Sequence, residues 1–184
     1  MGGHGFGHPR VVALDRTVDR WAGSLRGHTA ADRVMYTLSQ LANHSMMWHG
    51  INVVDAVVGG PTHRRRAVRR SVLLVVEQAL VNVVIKSAFD RNRPEHDLAH
   101  PHDLREPATS SFPSGHASAG ACATVLLTRD LGYGPVWAGL GAVVGWSRIH
   151  VGAHHASDVV GGAVVGAALG TLAGRCWPPP DPVD

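Results

Sequence analysis

Three short stretches of this chain combine residue types that handle phosphate esters. They are Lys86 followed after six residues by Arg93-Pro94, then Pro113-Ser114-Gly115-His116, then Ser147-Arg148 with His154 and Asp158 beyond. Histidine exchanges protons and attacks electrophiles near neutral pH, while lysine and arginine bind phosphate oxygens. Each stretch alone has an ordinary explanation, as a helix-end lysine, a loop, or a turn that leads into a capped helix. Their joint order and spacing favour one shared site.

The distribution of charge indicates what kind of protein carries these stretches. Hydrophobic residues make up 45% of the 184 residues and charged residues 17%, a length that suits one domain. Charged residues crowd into residues 10–33, 62–70 and 90–106, and the stretches between them are almost uncharged, as in membrane proteins. The net charge is +3, aromatic residues are 5%, and no basic groove with interleaved aromatics is apparent, so no nucleic-acid partner is expected.

The apolar runs predict the helices that position the three stretches. The strongest runs cover residues 72–89, 117–131, 136–149 and 159–177, and a weaker one covers residues 35–58. A helix needs about 20 residues to cross a bilayer, so several runs must tilt or be extended by polar ends. Residues 10–33 mix charged and apolar side chains in the pattern of an amphipathic surface helix. We predict an all-α fold, a polytopic membrane helix bundle of about five to six helices with this N-terminal amphipathic helix.

Four glycines in the last run share one helical face. They are Gly162, Gly166, Gly170 and Gly174. On a helix they form a smooth ridge on which another backbone packs closely, as membrane helices prefer. A homo-oligomer through this face is one expectation.

A polar stripe indicates which way Lys86 points. Gln78, Asn82 and Lys86 recur every four residues, with Glu77 beside them. Polar side chains at membrane depth face the interior of a bundle, so the stripe directs Lys86 inward. The alternative is a partly soluble amphipathic helix. Glu77 is interpreted as the structural partner of a buried arginine or amide.

The basic cluster at residues 63–70 sets the expected orientation. By the positive-inside rule this cluster is cytoplasmic, so the next helix carries Lys86 to the extracytoplasmic side. The loop at residues 90–113 and the segment at residues 147–158 then lie on that same side. We therefore predict a multi-pass cell-membrane protein with an extracytoplasmic active site. The N-terminus is also expected outside, although the five arginines of residues 10–33 oppose export.

The whole pattern resembles the type 2 phosphatidic acid phosphatase family, whose core is similar to that of the vanadium haloperoxidases. The family pattern is a lysine, six residues and Arg-Pro, next Pro-Ser-Gly-His, and finally Ser-Arg, five residues, a histidine, three residues and an aspartate. Every position is matched here, and the resemblance covers about residues 70–175. It implies a lipid phosphate phosphatase that works through a phosphohistidine intermediate.

The resemblance makes His154 the nucleophile, and its spacing to Asp158 suits that role. In a helix a carboxylate four residues on reaches Nδ1 of the imidazole, which fixes the tautomer and leaves Nε2 free to attack phosphorus. His116 is the second histidine that the chemistry needs. It would protonate the leaving group and then activate the water that cleaves phosphohistidine.

The other motif residues are expected to hold the phosphoryl group. They are Lys86, Arg93, Ser114, Gly115 and Arg148. The cations would surround the equatorial oxygens, and the serine hydroxyl and glycine amide would add neutral donors near a helix N-terminus. With this much fixed positive charge, no metal ion or other cofactor is required.

Three alternatives remain open at this point. His150, His154 and Asp158 stand at i, i+4 and i+8 and could ligate a metal, although Arg148 would repel it. Vanadate in the same anion pocket would give a haloperoxidase, although those enzymes are large and soluble. A non-catalytic membrane protein that binds phosphorylated lipid is the third, against which the intact nucleophile and acid argue.

The expected partner is a phosphorylated lipid whose tail stays in the membrane, either a polyprenyl (di)phosphate or a phosphatidic acid-type lipid. We divide the chain into an N-terminal tail and amphipathic helix at residues 1–34, a phosphatase core at residues 35–177 and a proline-rich tail at residues 178–184. The loop histidines His96, His100 and His102 are interpreted as a solvated loop. Cys122 and Cys176 are interpreted as small core residues, and His155 is given no role.

Overall fold

The computed structural model describes residues 6–94 and 109–181. In these residues the chain forms α-helices and short helical turns, with no strand. The seven α-helices are α1 (Pro9–Leu25), α2 (Thr29–Leu41), α3 (Met46–Val58), α4 (Gly60–Ala79), α5 (Gly115–Leu131), α6 (Gly134–His150) and α7 (Ala156–Cys176). The predicted all-α fold is confirmed, with slightly more helices than the five to six expected.

The N-terminal region forms two helices where the sequence predicted one. Gly27 adopts a φ of +87°, a left-handed conformation that favours glycine and ends α1. Arg26 turns back across this break and donates from Nε and Nη2 to the carbonyls of His150 and Ile149, each at 2.9 Å. Both N-terminal helices therefore pack against the rest of the bundle, and the boundary expected at residue 34 falls inside α2.

The glycine ridge of α7 faces α5 of the same chain. A Cβ at Gly162 would lie 2.4 Å from the Ser114 carbonyl oxygen, and one at Gly166 would lie 2.0 Å from that of Ser118. No side chain fits at such distances, so only glycine allows the two backbones to approach this closely. The predicted close helix contact is present, and its partner is α5 of the same chain, which covers this face. The expected homo-oligomer stays a prediction.

The polar stripe of α4 points into the bundle, as predicted. Asn82 donates to the Gln78 carbonyl at 3.0 Å, and Gln78 donates from Nε2 to the Gly115 carbonyl at 3.1 Å. Past α4 the chain continues as a π-helical segment, Leu80–Ile85, and a 3₁₀ turn, Lys86–Ala88, which bury Lys86 to 7% exposure. The Glu77 carboxylate accepts from the Ser118 hydroxyl and from Gln78 Nε2, an amide as expected.

The outer surface of the bundle is strongly apolar. Stretches Gly60–Ala88 and Ala156–Cys176 are long and apolar enough to cross a membrane, and only 28% and 22% of the residues in their apolar windows are buried. A core helix of a soluble protein would be mostly covered. Exposed valines on α3 and α4 extend this surface, namely Val53, Val54, Val57, Val58, Val68, Val72, Val75 and Val76. Cys122 is buried as expected, but Cys176 is exposed, so its assignment to the core is wrong.

The basic cluster at residues 63–70 is partly neutralised inside the protein. Arg69 and Arg70 are each 1% exposed, and both contact the buried carboxylate of Asp130 at the end of α5, at 3.3 and 2.9 Å. Arg70 also pairs with Asp55 of α3. The cluster therefore presents fewer free cations to a membrane surface than the sequence alone indicated.

Candidate active site

The predicted site residues meet at one end of the bundle. Lys86 lies in the 3₁₀ turn that extends α4, and Ser114 occupies the N-cap position of α5. Arg148 lies in the last turn of α6, and Asp158 lies in the first turn of α7. The Ser114 amide donates to the Asp158 carbonyl at 3.0 Å, which joins the second stretch to the third. These residues come from four different parts of the chain, so packing of the helix ends assembles the site.

His154 and Asp158 are arranged with one imidazole nitrogen facing the carboxylate. His154 Nδ1 lies 3.8 Å from Asp158 Oδ2, and the Ser111 hydroxyl is 3.5 Å from the same nitrogen. The imidazole is 3% exposed and the carboxylate is fully buried. Nδ1 therefore faces the carboxylate of Asp158, and Nε2 is the nitrogen available to attack an electrophile.

Three further side chains or amides hold Asp158, and the motif analysis missed them all. Ser111 donates from Oγ to Oδ2 at 2.5 Å, and the His155 amide donates to the same oxygen at 2.9 Å. Arg91 donates from Nη1 to Oδ1. His155, which had been given no role, thus caps α7 and contacts Asp158 directly. The only signal for Arg91 in the sequence is its place between Lys86 and Arg93.

Helix α1 reaches this site through Asp15. The Asp15 carboxylate accepts from Arg91 Nη2 at 2.7 Å, from the Ser157 amide at 2.8 Å and from the Ser157 hydroxyl at 2.9 Å. These contacts tie α1 to the start of α7, 142 residues later in the chain. No spacing rule links residues so far apart, so sequence reasoning had no means of finding Asp15.

His116 and Arg148 both contact α2 and the turn after it. His116 Nε2 lies 3.2 Å from the Ser39 carbonyl oxygen and 3.1 Å from Asn43 Oδ1. Arg148 donates from Nη1 to the Ser39 hydroxyl. These partners also lie in the part of the sequence that carried no motif.

Two groups in the cluster are buried donors without a hydrogen-bond partner in the described part of the chain. They are the Arg148 Nε–H and the Ser114 hydroxyl. Arg93 is held by its Nη1, which donates to the Ala153 carbonyl at 2.7 Å. Arg93 and Arg148 are also the cations that act electrostatically on Lys86. Buried donors are normally satisfied, so this arrangement of cations and free donors suits an anion with several oxygens.

The electrostatics of the cluster keep His154 neutral. Burial lowers the pKa of His154 to about 4, and the positive charges of Arg148 and Arg93 act in the same direction. Asp158 opposes this shift but does not cancel it. A neutral imidazole has a free lone pair, so at neutral pH the Nε2 of His154 is in the form that attacks an electrophile.

The metal alternative assumed that residues 150–158 form one helix, and this assumption is wrong. Helix α6 ends at His150 and α7 begins at Ala156, with a turn between them. His150 points away and its Nε2 lies 2.8 Å from Asp32 Oδ1. The spacing argument for a shared set of ligands therefore fails. The loop histidines His96, His100 and His102 lie outside the described residues.

Comparison with known proteins identifies the family. A family model described as PAP2 superfamily matches residues 68–180, more than half of this chain. The chain belongs to the PAP2 superfamily. The membership expected from the three motifs is confirmed, and so is the expectation that the protein is a phosphatase of the lipid phosphatase type.

Two relatives of this PAP2 protein are decaprenylphosphoryl-5-phosphoribose phosphatases. The one from Mycolicibacterium smegmatis is 36% identical over 157 residues, which are 83% of this chain and 78% of that protein. The one from Mycobacterium tuberculosis H37Rv is 32% identical over 135 residues, which are 73% of this chain and 74% of that protein.

Two crystal structures share the fold. A transmembrane PAP2 type phosphatidylglycerolphosphate phosphatase from Bacillus subtilis has a TM-score of 0.69 at 24% identity, covering 93% of this chain and 88% of its own. LpxE from Aquifex aeolicus has a TM-score of 0.67 at 18% identity, covering 89% and 94%. The coverage extends beyond residues 68–180, so α1 and α2 include parts of the shared architecture.

Proposed function

We propose that this PAP2 protein is an integral membrane phosphatase that removes a phosphoryl group from a polyprenyl-linked lipid through a phosphohistidine on His154. The observation that carries the proposal is the juxtaposition of a neutral, oriented imidazole with free buried donors from Ser114 and Arg148. A nucleophile beside an anion site is the minimum that phosphoryl transfer to a side chain needs.

In the first step, His154 Nε2 attacks phosphorus while the bond from phosphorus to the leaving oxygen breaks. Lys86, Arg93 and Arg148 hold the three equatorial oxygens, where negative charge persists in the transition state. Asp158 stabilises the positive charge that the phosphorylated imidazole acquires. Burial, Arg148 and Lys86 lower the pKa of His116, so we propose that the negative charge of the bound phosphoryl group lets it carry a proton. His116 gives this proton to the departing oxygen, so that an alcohol leaves in place of an alkoxide.

In the second step, water cleaves the phosphohistidine. His116, now neutral, takes a proton from the water as its oxygen bonds to phosphorus and the bond from phosphorus to nitrogen breaks. The products are inorganic phosphate and the starting enzyme with His116 protonated again. The step uses only the chain's own acid, base and cations, so the proposed reaction is independent of a metal ion.

A lipid substrate is supported by where the site lies. The site is at the end of two helices that are long enough to cross a membrane and largely uncovered by the rest of the chain. A substrate whose tail stays in the bilayer would reach it along the apolar surface. Relatives named as decaprenylphosphoryl-5-phosphoribose phosphatases support a polyprenyl-linked phosphomonoester as the class. The extracytoplasmic face of the site is proposed from the basic cluster at residues 63–70 and the positive-inside rule alone.

The decisive experiment is phosphate release in detergent with EDTA present, across polyprenyl phosphates, a polyprenylphosphoryl phosphoribose, phosphatidic acid and phosphatidylglycerol phosphate. We expect the highest kcat/KM on a polyprenyl-linked phosphomonoester and no loss of activity with EDTA. Loss of activity to EDTA, or a clear preference for glycerolipids, would contradict the metal-independent mechanism or the lipid class respectively.

The covalent step is tested by trapping. Rapid acid-free quenching of enzyme incubated with ³²P-labelled lipid phosphate should yield a label that is stable to alkali and released by acid, as expected of a phosphoramidate. The label should be absent from His154→Ala. The matched control is His28→Ala, because His28 is an exposed histidine remote in sequence from the motifs.

A further inference from the structure

The turn that follows α2 lies directly against the acid of the proposed mechanism. His116 Nε2 is 3.2 Å from the Ser39 carbonyl oxygen and 3.1 Å from Asn43 Oδ1. A backbone carbonyl has no hydrogen to donate, so the hydrogen bond exists only if Nε2 carries the proton. Both acceptors therefore select the same tautomer of His116.

We propose that Ser39 and Asn43 act as positioning residues that fix His116 as the Nε2–H tautomer, so that Nδ1 alone exchanges protons with the leaving group and with water. This inference rests on the proposed function of His116. It extends the site into residues that lie outside the matched family region, residues 68–180.

The surroundings of His116 leave Nδ1 as the working nitrogen. Among the described residues, the hydrogen bonds of the ring are those made by Nε2, and Nδ1 has none. The cations acting on the ring are Arg148 and Lys86, two of the proposed phosphate-binding residues, and the ring also lies near His154, the proposed nucleophile. Because Nε2 is hydrogen-bonded to Ser39 and Asn43, Nδ1 is the nitrogen that can transfer a proton on the side of those residues.

The backbone of the turn is held in a costly conformation at the same place. His44 and Ser45, which follow Asn43 directly, have φ values of 50° and 60°, although neither is glycine. Left-handed backbone at consecutive non-glycine residues persists only where the surroundings impose it, and such residues cluster at functional sites. Here the two left-handed residues turn the chain from Asn43, which contacts His116, directly into α3.

Ser39 contacts two groups through two different atoms, so Ser39→Ala and Asn43→Ala form a matched pair of variants. Its carbonyl accepts from His116, while its hydroxyl accepts from Arg148 Nη1. Ser39→Ala removes the contact to the phosphate-binding arginine and keeps the carbonyl. Asn43→Ala removes one acceptor from His116 and touches no cation of the site.

The test compares two substrates with the same tail, dodecyl phosphate and a dodecyl-substituted nitrophenyl phosphate. An alkoxide must be protonated as it leaves, whereas a nitrophenolate leaves without an acid. For Asn43→Ala we expect kcat on dodecyl phosphate to fall about 10-fold to 100-fold, and kcat on the nitrophenyl ester to change less than about 3-fold.

Three further variants sharpen the result. Asn43→Asp keeps an acceptor oxygen, so it should retain the dodecyl phosphate activity and shift the basic limb of its pH profile upward, because a carboxylate stabilises a protonated imidazole. Ser39→Ala should raise KM for both substrates alike. Gln40→Ala removes an exposed amide of the same helix and should leave both substrates unaffected.

Equal losses on both substrates in Asn43→Ala, or no loss on either, would overturn the inference. The proposed function fails in a different way, since it would be contradicted if wild-type enzyme released no phosphate or if His154→Ala retained turnover. If wild type and His154→Ala behave as expected while Asn43→Ala does not discriminate between leaving groups, only the positioning role is wrong.

Discussion

The two ends of this helix bundle both bury arginines, but they balance the charge differently. At the end away from the site, Arg69 and Arg70 meet the carboxylates of Asp130 and Asp55, two charges of each sign. At the active-site end there are four cations, Lys86, Arg91, Arg93 and Arg148, and two carboxylates. Of the two carboxylates there, Asp158 and Asp15, both are engaged by Arg91.

The difference separates stabilisation from binding. Paired buried charges neutralise one another and leave little for a ligand, whereas an excess of buried cations keeps a favourable interaction for an anion that binds there. The balanced end therefore holds helices α3, α4 and α5 together. If the proposed function holds, the end with excess cations gives up some stability in exchange for phosphate binding, and mutations at the two ends should separate these effects.

The largest effect is expected from His154→Gln. Loss of the proposed nucleophile should lower kcat by at least about 10³-fold, while the thermal midpoint stays within a few degrees of wild type, because a neutral buried imidazole is replaced by a neutral side chain. Phosphate release and a thermal melt of the detergent-solubilised protein measure the two quantities. A large drop in the midpoint would mean that the active-site end also carries the stability.

Asp130→Asn should give the reverse result. Arg69 and Arg70 would keep their buried charge while losing the carboxylate they share, at a cost of about 3–5 kcal/mol in the free energy of unfolding. The thermal midpoint should fall steeply, and kcat/KM per folded molecule should stay within about 2-fold of wild type. Asp181→Asn, which changes an exposed aspartate, is the control and should alter neither.

Lys86→Met should weaken anion binding by an intermediate amount. A charge-assisted hydrogen bond contributes about 1.5–3 kcal/mol, so the affinity for vanadate as a phosphate mimic should fall about 10-fold to 100-fold. The rise in thermal midpoint with vanadate concentration measures this affinity. Arg69→Met at the opposite end should lower the midpoint without changing the vanadate affinity, and equal weakening in both variants would contradict the comparison.

The smallest effect is a pH dependence that His154 confers on stability. Its pKa is about 4 in the folded protein because of burial, against an ordinary value of 6.5. Between these values the unfolded chain binds the extra proton, so stability is fully present above about pH 6.5 and is lost as the pH falls towards 4. The thermal midpoint of wild type should therefore fall between pH 7 and pH 5 by a few degrees more than that of His154→Gln. A parallel decrease in both proteins would assign the effect to other groups.

Most sequence patterns that lie within one helix predicted the structure correctly, whereas contacts between separate helices could not be predicted from them. Helical runs, the inward stripe of α4 and the close approach allowed by the glycines are local patterns, and the structure contains all three. The sequence left the partner of the glycine ridge open because a periodic face does not specify what packs on it, and in the structure α5 lies there. The single N-terminal helix failed at Gly27, whose left-handed backbone interrupts an otherwise continuous amphipathic pattern.

By itself, the sequence determined the all-helical class and the phosphatase family, and it supplied the residues that the proposed mechanism uses, because motif spacing and apolar periodicity are written locally along the chain. Only the tertiary structure decided that Asp15, Ser39 and Asn43 belong to the same site. Their contacts to Arg91, Arg148 and His116 join residues 73 to 109 positions apart, and they depend on how α1 and α2 pack against the ends of other helices. Packing of the helices pairs buried polar groups that are far apart in the chain. A short stretch of sequence does not show which distant group will be the partner.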